Sequence, residues 1–441
     1  MTECQALMIS APSSGSGKTS VTAAIARWQR RLGRKVRVFK TGPDFLDPMI
    51  LERASGHPVY QLDLFMGGLD HCRSLLAEAA ASADLILVEG VMGLFDGDPS
   101  SADLAAAFGL PVLAVIDASA MAQTFAALAT GLQRFRPDVK VCGVIANRVG
   151  SVSHGKMVAQ GLPPELPLVA ALPRDANLSL PERHLGLVQA LELPELEAQL
   201  DAWADQFARA LEPEFEFPRV SFENAASPYA EAQPQALAGR HIAVAQDAAF
   251  SFIYPANLDC LRALGAELEF FSPLQGQVLP ECDALWLPGG YPELHAQTLR
   301  QHPSFFADLR QHVQAGKPLL AECGGMLCLL DQLIDTEGQT QLMAGVMPGT
   351  ARMQSKLAAL GLQAIAWPEG LLRGHSFHYS TLGTPLHPIA TAENPNAGRT
   401  AEALYQQGSL RASYIHHYFA SNPAAVAAFF IGDRTKDTHG N

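Results

Sequence analysis

Short apolar runs alternate with helical patterns over about the first two hundred residues of the chain. Runs that predict buried strands lie at Ala6–Ser10, Val36–Lys40, Asp84–Val88, Val112–Ile116 and Val139–Ala146. Helical patterns lie between most of them, for example at Thr19–Leu32, which Gly33 follows as a C-cap, and at Ala120–Phe135. Strands separated by helices predict a parallel sheet that helices cover on both faces.

The pattern changes between Glu212 and Gly239, where four prolines occur and periodicity is lost. We predict a linker over 212–239. Beyond it, strands are predicted at His241–Gln246, Glu267–Phe271, Ala284–Leu287 and Pro318–Ala321, and helices at Ala256–Leu264 and Pro303–Ala315. The sequence therefore predicts an α/β protein of two domains in tandem, 1–211 and 240–441.

Composition narrows the classes of function. The 441 residues include 31 Lys and Arg against 44 Asp and Glu, a net charge of −13, and 48% are hydrophobic. Such a chain can form sizeable cores, which argues against an intrinsically disordered protein. Its acidity disfavours nonspecific binding to nucleic acid or to an anionic membrane, so we expect neither as a partner.

Cysteine usage and the N-terminus indicate a cytoplasmic protein. The seven cysteines form no Cys-x-x-Cys pair, and the two nearest to each other are Cys323 and Cys328. This spacing argues against a disulfide framework or a thiolate zinc site. The run Ala6–Ile9 is too short for a signal peptide and lacks a basic flank, and no stretch of about 20 apolar residues predicts a membrane span.

A phosphate-binding loop is predicted at Pro12–Thr19, between a strand and a helix. Its backbone N–H groups and the helix N-terminus suit phosphate oxygens, with Lys18 on the outer phosphates. Pro12 stands where the general pattern has its first glycine, and the alternative is a Gly/Ser turn with a surface lysine. The residues predicted to bind ATP are Ser14, Gly15, Ser16, Gly17, Lys18, Thr19 and Ser20.

Acidic residues follow two of the predicted strands, and the phosphate loop follows a third. Asp44 and Asp47 come after one strand, and Glu89 and Asp96 after another. Strand ends of a parallel sheet face one crevice, so the acids together predict a Mg²⁺–nucleotide site, with Thr19 and Glu89 as the metal ligands. Each acid alone fits a turn or helix cap equally well. Likewise, Asn147 and Arg148 could contact adenine or form a polar turn.

A second site is predicted around Cys323, which lies between an apolar strand and two glycines that open an apolar helix. A nucleophile on such a turn needs small neighbours, and the helix N-terminus should lower the pKa of the thiol. The amides of Gly289 and Gly290 could form the oxyanion hole. The alternative is a buried structural cysteine, as we expect for Cys328.

The general base of this second site should be a histidine. His416 and His417 are the candidates, and His375 and His378 compete with them. Two histidines at this spacing could also bind a metal, but no third ligand with metal-site spacing accompanies them. Side chains alternate along a strand, so His416 and His417 should point to opposite faces and only one can serve.

Seven ordered motifs resemble those of the cobyrinic or hydrogenobyrinic acid a,c-diamide synthases of corrinoid biosynthesis. They are Ala11–Thr19, Gly42–Pro48, Glu89–Gly97, Pro181–Gln189, Leu287–His295, Ala321–Gly325 and Arg373–Tyr379. The resemblance implies an N-terminal P-loop domain, similar to dethiobiotin synthetase, and a C-terminal class I glutamine amidotransferase domain. It implies a corrinoid substrate, with ATP and glutamine as co-substrates and Mg²⁺ as cofactor.

The resemblance also implies roles for individual residues. Cys323 would be the glutaminase nucleophile, assisted by His416. Substrate binding and phosphoryl transfer would fall to Asp44, Phe45, Leu46, Glu89 and Asp96. ATP would phosphorylate the c and then the a acetate carboxylate, and ammonia from glutamine would displace each phosphate.

One departure from ordinary class I amidotransferases is that Tyr418 stands where they have an orienting glutamate, two residues after the histidine. A Cys–His dyad is therefore expected. Two other functions remain open: amidation of another carboxylated tetrapyrrole such as nickel-sirohydrochlorin, and a partitioning-type ATPase switch with a regulatory C-terminal module. Homodimer formation also remains open.

Overall fold

The computed structural model describes residues 1–175, 182–183, 186–226, 229, 235–396, 398 and 401–432. The chain forms two compact units, Met1–Ser227 and Pro228–Asn441. Part of the motif Pro181–Gln189 and part of the predicted linker 212–239 lie outside the described residues.

The first unit alternates strands and helices over most of its length. Its strands are β1 (Thr2–Ser10), β2 (Val36–Thr41), β3 (Tyr60–Leu62), β4 (Leu85–Glu89), β5 (Val112–Asp117), β6 (Val141–Val149), β7 (Leu168–Pro173), β8 (Glu182–Arg183), β9 (Gly186–Leu187) and β10 (Arg219–Phe222). Its helices are α1 (Lys18–Arg31), α2 (Leu46–Ser55), α3 (Gly68–Ala80), α4 (Ser101–Phe108), α5 (Thr124–Phe135), α6 (Val152–Ala159) and α7 (Leu196–Ala210).

The main sheet of this unit has the strand order β3-β2-β4-β1-β5-β6-β7, and these strands pair in parallel. Both of its faces are covered. Along β1, Ala6 and Met8 pack into a core with α3, α4 and α5, whereas Leu7 and Ile9 pack into a core with α1, α2 and α7. The predicted parallel α/β domain is thereby confirmed, and the carboxyl ends of β1, β2 and β4 lie side by side.

The segment predicted as a linker contains strand β10, which pairs antiparallel with the start of β1. Val220 and Phe222 are buried in the sheet core, while Arg219 and Ser221 are exposed. This alternation is typical of a strand with one buried face. Strand β10 is only four residues long and follows a proline-containing segment, so the sequence pattern does not reveal it.

The second unit combines a central sheet with two smaller ones. Its strands are β11 (His241–Ala245), β12 (Glu267–Phe271), β13 (Ala284–Leu287), β14 (Leu319–Glu322), β15 (Gln332–Ile334), β16 (Thr340–Leu342), β17 (Thr350–Met353), β18 (Ala359–Trp367), β19 (Gly370–His378), β20 (Ser380–Gly383), β21 (Ala390–Thr391), β22 (Ala403–Gln407), β23 (Leu410–Ser413) and β24 (His416–Tyr418). Its helices are α8 (Pro255–Ala263), α9 (Ala296–Arg300), α10 (Pro303–Gln314), α11 (Gly324–Leu327) and α12 (Pro423–Ile431).

The central sheet has the order β12-β11-β13-β14-β23-β22-β21, with parallel pairing from β12 to β23. Strand β14 is central in it, and its last residue, Glu322, lies opposite Ser413 of β23. After β23 the chain enters β24, which leaves the central sheet and pairs with β19 in the sheet β18-β19-β24. This connection carries the segment of His416 and His417 past the end of β14.

Across the described ranges, no helix combines the length and the apolarity that crossing a membrane requires.

Candidate active sites

The phosphate-loop sequence connects β1 to α1. Gly15 and Gly17 have φ angles of 77° and 93°, and the helix begins at Lys18. The Lys18 ammonium donates to the carbonyls of Met92 at 2.6 Å and Ser13 at 3.1 Å. Burial, and then the nearby Lys40, lower the pKa of Lys18. The lysine therefore lies folded over the loop that it closes.

Glu89, at the end of β4, is fully buried. Its Oε1 accepts hydrogen bonds from the Thr19 hydroxyl at 3.0 Å and the Lys40 ammonium at 2.6 Å. Its Oε2 is buried and has no hydrogen-bond partner within the described part of the chain. A buried carboxylate oxygen without a partner is costly, which makes this atom the place where the site fits an added cation.

Lys40, which the sequence analysis did not single out, organises the acids. Its side chain is 3% exposed and lies 2.6 Å from Asp47 Oδ2 and 3.8 Å from Asp44 Oδ2. Although burial lowers the pKa of Lys40, the carboxylates of Asp47, Glu89 and Asp44 outweigh it and raise that pKa. Burial and the charge of Asp47 raise the pKa of Asp44 to about 8.

Asp96 interacts with this site through its charge, which opposes the lowering of the Lys18 pKa by burial. Its Oδ2 accepts the backbone N–H of Gly93 at 3.1 Å, and among the described residues it forms no ion pair with Lys18 or Lys40. The contact is the kind of turn contact that the sequence left open for each acid.

A cavity of about 740 Å³ opens beside the phosphate loop. Six of the seven predicted ATP-binding residues line it, together with Asp44 and Asp47; Ser16, Phe45, Leu46, Glu89 and Asp96 do not. The Phe45–Leu46 pair instead begins α2, where the Leu46 N–H donates to Asp44 Oδ1 at 3.0 Å.

Asn147 and Arg148 also line this cavity. Asn147 Nδ2 donates to the carbonyl of Ser16 at 2.9 Å, which braces the phosphate loop. Arg148 pairs with Asp117 at 2.5 Å. Trp203 of α7 also lines the cavity, although no motif in the sequence pointed to it.

Cys323 lies on the turn between β14 and α11. Its φ and ψ are 44° and −108°, a region that non-glycine residues rarely adopt. Its N–H donates to the carbonyl of Ser413 at 2.8 Å, which ties the turn to β23. Strain of this kind is concentrated at functional sites.

The expected low pKa of the Cys323 thiol was wrong. Burial, followed by the carboxylate of Glu293, raises the pKa of this thiol, and the backbone N–H of Gly324 does not compensate. The helix α11 spans only four residues, so it has too few aligned peptides to stabilise a thiolate against that burial.

The glycine loop and His416 converge on the same region as Cys323. A Cβ on Gly324 would lie 2.7 Å from the carbonyl oxygen of Gly290, and one on Gly289 would overlap the His416 ring. The His416 ring also packs against Phe252 at 5.8 Å. Burial, and then His375, His417 and His378, place the pKa of His416 well below its ordinary value.

The other three histidines are held differently. His417 Nδ1 lies 2.9 Å from Glu322 Oε1. His378 contacts Glu402 at 3.0 Å and stacks on Tyr414 at 3.6 Å between ring centroids. His375 pairs with His416 across β19 and β24, and burial lowers its pKa to about 3. The sequence analysis missed both glutamates.

Comparisons with known proteins match both units. Residues 7–188 match the CobQ/CobB/MinD/ParA nucleotide binding domain, and residues 241–424 match the CobB/CobQ-like glutamine amidotransferase domain.

Individual relatives match over nearly the whole chain. The hydrogenobyrinate a,c-diamide synthase of Stutzerimonas stutzeri is 59% identical, covering 96% of this chain and 98% of that protein. The same enzyme of Pseudomonas aeruginosa is 56% identical, covering 98% and 99%. The cobyrinate a,c-diamide synthase of Herminiimonas arsenicoxydans is 52% identical, covering 96% of each chain. This chain belongs to the cobyrinate and hydrogenobyrinate a,c-diamide synthase family.

Proposed function

We propose that this protein uses ATP and glutamine to amidate the a and c acetate carboxylates of cobyrinate or its cobalt-free analogue, hydrogenobyrinate. The observation that carries the proposal is the presence of two catalytic constellations in one chain. One is a phosphate loop beside buried acids, and the other is a strained Cys323 near a glycine loop and His416.

The first unit would activate the carboxylate. Ammonia does not react usefully with a carboxylate in water, so the carboxylate must first attack the γ-phosphorus of ATP. The acyl phosphate forms as the bond from that phosphorus to the β–γ bridging oxygen breaks and ADP leaves. Lys18 and Lys40 offer positive charge to the transferred phosphoryl group. Thr19 and Glu89 would hold Mg²⁺, with the partnerless Oε2 of Glu89 as the supporting feature. The metal would supply further neutralisation of the phosphate charge.

The second unit would release ammonia from glutamine. The thiol of Cys323 is protonated at rest because burial raises its pKa, so a base must take its proton as the sulfur attacks the amide carbon. His416 is suited to this because its lowered pKa keeps the imidazole neutral. The amides of Gly289 and Gly290 would stabilise the oxyanion. The C–N bond then breaks, ammonia leaves with the proton from His416, and water hydrolyses the thioester.

Ammonia then completes the reaction at the first unit. Its nitrogen attacks the acyl carbon, the amide bond forms, and inorganic phosphate leaves. Two such cycles, at the c and then the a acetate, give the diamide.

The test is a mass-spectrometric assay of the purified protein with ATP, Mg²⁺ and glutamine. Hydrogenobyrinate, cobyrinate and nickel-sirohydrochlorin are offered in parallel, and Lys18→Ala protein is the control. Two exchanges of OH for NH₂, each a loss of about one mass unit, identify the double amidation. A product from nickel-sirohydrochlorin alone would favour the other tetrapyrrole. ATP hydrolysis without any amidation would favour the ATPase switch.

A further inference from the structure

A buried pair, Glu322 and His417, lies next to the residues proposed for glutamine hydrolysis. Glu322 is 1% exposed and His417 is fully buried. Glu322 Oε1 accepts both the backbone N–H and the ring Nδ1–H of His417, each at 2.9 Å. Glu322 Oε2 accepts the indole N–H of Trp286 at 3.1 Å. Both oxygens of the carboxylate are therefore used, and its orientation is fixed.

Asn257 of α8 holds the same segment from another side. It is 1% exposed. Its Nδ2 donates to the carbonyl of His417, and its Oδ1 accepts the N–H of Phe419, each at 2.7 Å. Strand β24 has one neighbouring strand in its sheet, β19. Side chains from β14 and α8 thus form hydrogen bonds with the backbone N–H and carbonyl of His417, as a second neighbouring strand would.

Both members of this buried pair are chain neighbours of the residues proposed for catalysis. Glu322 directly precedes Cys323, and His417 directly follows His416. Any shift of β24 relative to β14 would therefore move His416 relative to the thiol by a similar amount. The ring of His417 packs against Trp367, with 5.0 Å between the ring centroids. The ring of His416 instead contacts Phe252 and lies against Gly289.

We propose that Glu322, His417 and Asn257 are positioning residues that hold His416 in place to deprotonate Cys323. The inference rests on the proposed function, in which His416 is the base and Cys323 the nucleophile. These three residues act on the geometry of the pair and do not touch the glutamine amide.

The test compares His417→Asn with His417→Leu in the full-length protein. The Asn amide nitrogen can replace Nδ1–H as donor to Glu322, whereas Leu cannot donate. We measure kcat and KM with glutamine, and kcat with ammonium chloride as nitrogen donor. We expect His417→Leu to lower the glutamine kcat by about 100-fold, the scale of a misplaced catalytic group, with KM and ammonia use unchanged. His417→Asn should stay within about threefold of the parent, because the hydrogen bond to Glu322 remains.

Asn257→Leu supplies an independent variant, for which we expect the same fall in kcat with an unchanged KM. An unchanged KM for glutamine shows that a variant is folded around its substrate. Equal activity of His417→Leu and the parent would overturn the inference.

His416→Asn separates this inference from the proposed function. If His416→Asn is inactive with glutamine while His417→Leu is fully active, only the positioning role fails. If His416→Asn is active with glutamine and His417→Asn is inactive, His417 is the base, and both the inference and the assignment of His416 fail.

Discussion

Lys40 is a buried cation that faces three carboxylates at the end of β2. With the pKa of Asp44 at about 8, that acid is largely protonated at neutral pH. The carboxylates of Asp47 and Glu89 then face two ammonium groups, because the charge of Lys18 also acts on both acids. A divalent cation would add positive charge and prepare this group for the phosphates of a nucleotide.

Removing the Lys40 charge tests this balance. We expect Lys40→Met to destabilise the protein by about 3 kcal/mol, because Asp47 and Glu89 lose their buried counter-ion. We also expect it to lower kcat by about 100-fold with either nitrogen donor. Urea unfolding and the amidation assay measure the two effects. Lys35→Met, at an exposed lysine just before β2, is the matched control, and an equal response of both variants would contradict the role of Lys40.

Replacing Cys323 tests the thiol chemistry at the same scale. Cys323→Ala should abolish amidation with glutamine, by more than about 1,000-fold, and leave amidation with ammonia intact. Cys328→Ala is the control, since that cysteine is fully buried in the core five residues away and should affect neither donor. Equal loss with both donors in Cys323→Ala would point to misfolding instead of a missing nucleophile.

His375 provides a pH-dependent contribution to stability. Its pKa of about 3 in the folded protein lies below the ordinary unfolded value of about 6.5, so between these values only the unfolded chain binds the proton. Its contribution is present above about pH 6.5 and is lost as the pH falls. From pH 7 to pH 5 we expect this residue to reduce the free energy of unfolding by about 2 kcal/mol.

Urea unfolding of the parent and of His375→Gln at both pH values isolates that contribution, because other titrating groups, such as Glu293, are present in both proteins. The parent should lose about 2 kcal/mol more than the variant over this interval. Parallel losses in the two proteins would show that His375 is protonated in the folded state.

At the scale of secondary-structure elements, the strands that carry both sites were predictable because they are apolar and continuous. The hairpin of β18 and β19 was not. Its buried positions include Gln363, Ser376 and two histidines, so the hairpin lacks the hydrophobic alternation that marks a strand in sequence. One of these polar residues, His375, lies opposite His416 in the pairing of β19 with β24.

Partners that are distant along the chain explain what the sequence could not show. Lys40 and Glu89 are 49 residues apart, and Glu322 and His417 are 95 apart. Each pair depends on which strands become neighbours in the sheet. By contrast, alternation along β24 predicted different surroundings for His416 and His417, and the structure places them so.

At the scale of the whole molecule, the chain contains two units with separate chemistry, so nucleotide binding should be measurable without glutamine. A non-hydrolysable ATP analogue at about 100 times its Kd should raise the free energy of unfolding by about 2.7 kcal/mol in the presence of Mg²⁺. Chelating the metal should reduce this effect in the parent.

Glu89→Gln and Lys18→Ala distinguish the metal from the phosphates. Glu89→Gln should show the same small stabilisation with or without Mg²⁺, since Glu89 is a proposed ligand. Lys18→Ala should show little stabilisation under either condition. A full, metal-dependent shift in Glu89→Gln, measured by thermal denaturation, would remove Glu89 from the metal site.

The raised pKa of the Cys323 thiol has a consequence for the lifetime of the enzyme. Peroxide oxidises the thiolate form of cysteine, and the products beyond sulfenic acid are not recovered by ordinary reductants. A thiol that is protonated and only 6% exposed at rest is poorly susceptible to this damage. The burial that would make the proposed nucleophile dependent on a base thus also protects the sulfur of Cys323 from peroxide.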